Sequence, residues 1–235
     1  MKRTTFSIIL LALLLAMAPA AGATMHVPYN GETGWQPWST TFEEAFSGTA
    51  YIGVSNFWDT AVPATLLVDN LTGFGPAGNR GFESGLTGYS AQGAATVGTS
   101  ATSAGGTVYG PTEGSQMAIL TSYGALTSPM GPQVGGTNGA YLTFAFSANA
   151  DDTISFDWNF LPNEEGDFYH DFAFLIGVSD TGQIVHFEKL AEIGESGLYG
   201  PPTSLPTPNP VPEPCTMLLV GGGLAGLAAL KRRRG

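Results

Sequence analysis

The chain has 235 residues, of which 43% are hydrophobic and 11% charged, enough to bury one core of moderate size without disulfide or metal staples. Its formal charge of −11 argues against a nucleic-acid ligand. The 33 glycines and 16 prolines favour many short strands joined by turns over long helices.

At the N-terminus, Lys2 and Arg3 precede an apolar run from Ile8 to Ala18, followed by Ala21-Gly22-Ala23. A basic start, a short apolar core and small residues at the A-x-A positions predict a secretory signal helix over 1–23, cut after Ala23 by signal peptidase. The run is too short to span a hydrocarbon core of about 30 Å.

The predicted folded body covers 27–200. Strands are expected at Tyr51 to Ser55, Thr65 to Asn70 and Gln116 to Ser122. Asn138-Gly139 reads as a turn, and Leu142 to Phe146 as a strand with its large apolar residues on one face. From Thr153 to Phe160, Ile154, Phe156, Trp158 and Phe160 face one way and the polar residues the other. Asp171 to Val178 is apolar on both faces, as in a central strand. Ser179 to Gly182 then turns the chain into a hairpin with Gln183 to Glu188. Only Phe42 to Phe46 and Phe187 to Ile193 have helical character. Many short antiparallel strands predict an all-β domain, a β-sandwich or jelly roll.

Pro201 to Pro214 contains seven prolines in fourteen residues, so 201–210 is expected to be an extended linker. Cys215 to Leu230 is a second apolar run, sixteen residues or about 24 Å of helix, closed by Lys231-Arg232-Arg233-Arg234. It reads as a short transmembrane helix whose basic end stays cytoplasmic. Cys215 is the only cysteine, so no internal disulfide forms. Without the two ends, Arg80 and Lys189 are the only Lys or Arg left against 18 acids, a body charge of about −16.

Pro212-Glu213-Pro214, the apolar run and Arg232, Arg233 and Arg234 occur in that order, and 211–235 thereby resembles the PEP-CTERM sorting signal. The same tail is also catalogued as an ice-binding protein C-terminal motif. The resemblance implies an exosortase in the inner membrane of a Gram-negative bacterium, transient insertion of the tail helix, and export linked to exopolysaccharide or biofilm. A second resemblance covers the body. Asn79-Arg80-Gly81-Phe82-Glu83, leading to Tyr89, is similar to the opening strand of secreted jelly-roll modules. The stretches Gly110 to Ala118, Phe156 to Glu164 and Asp171 to Phe174 are similar to segments of jelly-roll proteins with this tail. The closing strand of such modules resembles Leu66 to Asn70, which here comes before the opening strand. That order reads as a circular permutation, with Leu71 to Gly78 as the joining segment and a truncated copy followed by a second copy as the rival.

Jelly-roll carbohydrate-binding modules often hold a structural calcium between the opening-strand Glu and the closing-strand Asp. The resemblance carries those roles to Glu83 and Asp69. Glu164, Glu165, Asp167 and Asp171 form a second acidic cluster in one loop. Trp35, Trp38, Trp58 and Tyr89 are the candidates for stacking on sugar rings, while Trp158 alternates with core residues. Gly73 to Gly78 matches G-x-G-x-x-G but leads into no predicted helix, and Thr96, Thr99 and Thr102 do not share a strand face. His26, His170 and His186 stand in no G-x-S-x-G, H-E-x-x-H or C-x-x-C context, so no catalytic residue is assigned. The expectation is a non-enzymatic, exported envelope or matrix protein, an adhesion or carbohydrate-binding module of exopolysaccharide. The alternatives are a secreted polysaccharide-active enzyme and a purely structural matrix protein.

Overall fold

The computed structural model describes residues 24–28, 31–57, 62–123, 138–163 and 170–194. All of them belong to one unit, Met1–Thr203. The signal helix, the linker, the sorting tail, Trp58 and the acids Glu164, Glu165 and Asp167 lie outside the described residues.

The strands in chain order are β1 (Met25–Val27), β2 (Gln36–Thr41), β3 (Phe46–Asn56), β4 (Thr65–Thr72), β5 (Ser90–Gln92), β6 (Ala94–Gly98), β7 (Ala101–Thr102), β8 (Val108–Tyr109), β9 (Met117–Thr121), β10 (Asn138–Ala148), β11 (Thr153–Leu161), β12 (Phe172–Ser179) and β13 (Ile184–Ile193). A six-stranded sheet runs β1-β13-β12-β3-β10-β5, a five-stranded sheet runs β2-β11-β4-β9-β6, and β7 pairs with β8. The pairings are antiparallel except β1 with β13. The protein is all-β among its described residues.

Alternation explains the layering. Ile52 and Val54 of β3, Leu142 and Phe144 of β10, and Ala173 and Leu175 of β12 point inward from the first sheet. They meet Leu66 and Val68 of β4, Leu120 of β9, and Ile154, Phe156, Trp158 and Phe160 of β11 from the second. The two sheets thus share one buried core, the arrangement of a two-layer sandwich. Residues one step out of phase form separate outer clusters. Tyr141, Phe172, Phe174 and Ile176 cover the outer face of the first sheet, and Leu67, Met117 and Leu161 that of the second.

The structure corrects four sequence expectations. Residues 79–89 form turns and no opening strand. The neighbours of β4 are β11 and β9, and the turn segment touches β4 through the Leu71 N–H, which donates to the Arg80 carbonyl at 3.2 Å. The adjacency that a circular permutation required is therefore not made by paired strands. Phe74 and Phe82 belong to the same core as Val68 and Phe156, so the chain does not divide into two cores near Gly75. Asn138-Gly139 is the buried start of β10 and no turn. Neither helical candidate is a helix: Phe42 to Phe46 is a bend leading into β3, and Phe187 to Ile193 lies within β13.

Candidate functional site

The site is built where β4 ends. The ladder between β4 and β11 shifts between Ser155 and Asp157, and Asn70 there takes φ 53. A bulge of this kind re-aims the side chains beside it. Asp69, fully buried, directs its carboxylate at the loop that precedes β9. Its Oδ2 accepts the Thr112 N–H at 2.7 Å, the Glu113 N–H at 2.9 Å and the Thr112 hydroxyl at 3.2 Å. Its Oδ1 accepts the Asn70 N–H at 2.8 Å. Burial pushes the Asp69 carboxyl above the usual range, and these donors work against that rise.

Glu83 holds the other end of the same loop. Its Oε1 accepts the Ser115 N–H at 2.7 Å and the Gln116 N–H at 2.9 Å, and its Oε2 accepts the Ser115 hydroxyl at 2.7 Å. Those bonds draw its carboxyl below the usual range. Two glycines make the close approach possible. A Cβ on Gly114, whose φ is +64, would stand 2.2 Å from Glu83 Oε1. A Cβ on Gly81 would stand 2.0 Å from Glu113 Oε2.

Asn79 organises the turns between these carboxylates. Its Nδ2 donates to the Gly85 and Thr87 carbonyls, both at 2.9 Å, and its Oδ1 accepts the Ser84 N–H at 2.8 Å. The Tyr89 hydroxyl donates to the Asn79 carbonyl at 3.1 Å. Between the turn at 77–81 and the loop at Glu113 lies an open groove of about 410 Å³, lined by Ala77, Gly78, Asn79, Arg80, Gly81, Glu83 and Glu113.

Asp69 and Glu83 each accept hydrogen bonds from the loop 112–116, at its two ends. Calcium needs six to eight oxygens offering lone pairs. Here the lone pairs of both carboxylates face N–H and O–H donors, so the arrangement does not fit a calcium sphere. No group of three or more potential metal-ligating side chains occurs among the described residues. Asp171 of the second acidic cluster is buried, with its Oδ1 accepting the Phe57 N–H at 3.0 Å.

Among the described residues, the candidate aromatics Trp35, Trp38 and Tyr89 each pack against the framework. Tyr89 stacks on Phe82 at 4.9 Å and meets Phe144 edge-on at 5.4 Å, and burial holds its phenol protonated far above the ordinary range. Trp38 leans on Phe156 at 5.2 Å and donates its indole N–H to Glu188 Oε2 at 3.0 Å. Trp35 packs on the outer cluster of Leu67, Met117 and Leu161 and donates to the Gly110 carbonyl at 3.0 Å. The histidines make local contacts. His170 Nδ1 lies 3.0 Å from the Ile193 carbonyl, and His26 Nδ1 3.3 Å from Glu192 Oε1. His186 is half-buried, 3.2 Å from Glu188 Oε2 and edge-on to Trp38. Sequence reasoning missed Arg80, Glu113 and Asn79 as groove residues. The available signal was that Arg80 is one of the two basic residues left in the body.

The body is a β-sandwich whose loop end carries a charged groove, and the tail identifies how such a body is handled. Residues 210–234 match the PEP-CTERM protein-sorting motif. That motif implies recognition by an exosortase and export to the cell surface of a Gram-negative bacterium. No curated protein and no solved structure matches the chain.

Proposed function

We propose that this is a non-enzymatic envelope or matrix protein whose body adheres to exopolysaccharide after exosortase-dependent export. The observation that carries the reading is the sorting motif at 210–234 attached to a β-sandwich. The order of the strands supports a jelly-roll reading of the body. β2, β3 and β4 alternate between the two sheets, β9 stays beside β4, and β10, β11 and β12 alternate again, as in paired Greek keys. The tail helix inserts transiently in the inner membrane and is removed or exchanged on release.

Cell fractionation with intact-mass analysis tests the export half. The released protein is expected to begin near Thr24 and to lack Lys231 to Gly235, and recovery of the basic tail on extracellular material would overturn it. Retention of the full exported protein on the host's own polysaccharide tests the binding half. Release of reducing sugar, abolished by a single carboxylate substitution, would assign the enzyme reading instead.

A further inference from the structure

We propose that the groove beside Arg80 binds neutral sugar residues of a polysaccharide through adjacent hydroxyl groups; this rests on the carbohydrate reading above and names its site. The volume of about 410 Å³ lies within the range of small-ligand sites. Its walls are fixed before any ligand arrives. Asp69 holds the backbone at Thr112 and Glu113, Glu83 holds it at Ser115 and Gln116, and Asn79 ties the opposite turn. A pre-set wall lowers the ordering cost of binding.

The polar groups at the groove match a diol. Arg80 is exposed, and the ion pairs among the described residues are His26 with Glu192, His186 with Glu188, and Lys189 with Glu192, none of which uses it. A guanidinium presents a planar fork of N–H donors and no acceptor. Glu113 is also exposed, and although its backbone N–H is held by Asp69, its carboxylate has no hydrogen-bond partner among the described residues. Gly81 leaves the space that this carboxylate occupies. One donor fork and one acceptor on the same groove suit hydroxyls, which accept and donate at once. Ala77 and Gly78 add little bulk, so a sugar ring can approach the backbone there.

Charge selects the class of sugar. Two carboxylates, Glu83 and Glu113, line the groove against one guanidinium. The acidic body adds a negative field around it. A uronate or sulfated sugar is repelled by both the carboxylates and the field around them. A neutral hexose meets neither penalty.

The test is binding of the full exported protein to immobilised neutral glucan, mannan and galactan oligosaccharides, beside uronate-containing ones, at low and high salt. The expected result is binding to a neutral glycan with little salt dependence. Arg80→Gln and Glu113→Gln should each weaken it about tenfold or more, as loss of a hydrogen-bonding partner at a polar site does. Both positions are exposed, so the melting temperature should be unchanged. Gly81→Ala should displace the Glu113 carboxylate and weaken binding while leaving Arg80 in place. Wild-type binding that survives Arg80→Gln and Glu113→Gln would overturn the groove and leave the carbohydrate reading standing. Preference for uronates, lost at high salt, would overturn the choice of neutral sugar. Failure of the wild type to bind any glycan would overturn both.

Discussion

The centre of the sandwich and its loop end are stabilised by different physics. At the centre, β3 is paired with β10 from Phe46 to Asn56 and with β12 along most of its length, and its inward residues are aliphatic. Each element there is held by ladder bonds and apolar burial, and any one contact is a small part of the total. At the loop end, the chain from Gly73 to Tyr89 and the chain from Gly110 to Gln116 make few ladders. Three side chains, Asp69, Asn79 and Glu83, gather their backbone N–H and C=O groups. A ladder is redundant and tolerates substitution residue by residue. A carboxylate that serves several donors is a single point of failure, and it fixes the shape of a surface that a sheet cannot supply. The groove sits in the second region.

That contrast predicts a graded set of responses. Phe156→Ala strikes the centre, where the ring is almost fully buried and touches Trp38 and Phe74. It should cost about 3–5 kcal/mol, read as a shift of the whole urea transition with unchanged slope. Asp69→Ala strikes the loop end and leaves the donors of Asn70, Thr112 and Glu113 without their acceptor. A cost of about 2–3 kcal/mol is expected, with faster hydrogen exchange concentrated at Thr112 and Glu113. Equal acceleration across β3, β10 and β12 would show that the two regions are one cooperative unit.

Two glycine substitutions sharpen the comparison within the loop end. Both methyl groups would meet a glutamate oxygen at similar distance, 2.2 Å for Gly114 and 2.0 Å for Gly81. Gly114→Ala also has to hold a left-handed backbone and dislodge Glu83 from its donors, so about 1–2 kcal/mol is expected in thermal melts. Gly81→Ala displaces only the free end of Glu113, and a stability change below about 0.5 kcal/mol is expected. Equal losses would mean that Glu113 is also part of the framework.

The finest effect is in the pH dependence. Glu83, drawn below its ordinary 4.5 by its donors, contributes stability that is present above that value and lost as pH falls through its folded pKa. Asp69, raised above its ordinary 3.8 by burial, has the opposite sign: its contribution is fully present below 3.8 and lost as pH rises through its folded pKa. Two anchors of one loop thus oppose each other across the acid range. Glu83→Gln should flatten the rise of melting temperature between acid and neutral pH, and Asp69→Asn should steepen it. The same direction of change in both variants would contradict the opposed signs.

The strands with strong period-two alternation, such as Thr153 to Leu161, were legible in the sequence because their inward residues are large and apolar. β2 was not, since Trp38 is the only large apolar residue in Gln36 to Thr41. β13 was half-legible for a physical reason. Its ladder to β12 shifts at two places, between Ala173 and Phe174 and between Gly177 and Val178. Each irregularity breaks the alternation, so Phe187, Leu190 and Ala191 acquire a helix-like spacing. The same irregularities account for His186 facing Trp38 and for Val185 being left exposed. Asp69 and Glu83 were identified as partners of one feature, but their ligands are backbone groups 32 to 44 residues away in the chain, which no local pattern reveals. The turns around Asn79 looked like a strand because resemblance carried a secondary structure that three short-range side-chain bonds override.

β13 is the last strand before Gly194, yet it is not an edge. β12 flanks it on one side and β1 runs parallel on the other, with the Gly194 N–H donating to the Val27 carbonyl at 3.1 Å. Tension applied to the chain beyond Gly194 therefore acts along a strand clamped on both sides. The flanking hydrogen bonds are loaded together, in shear, and cannot be peeled away one after another as at an edge. A pull transmitted through Gly194 meets this ladder as a whole, so rupture is set by the rate of its forced unfolding.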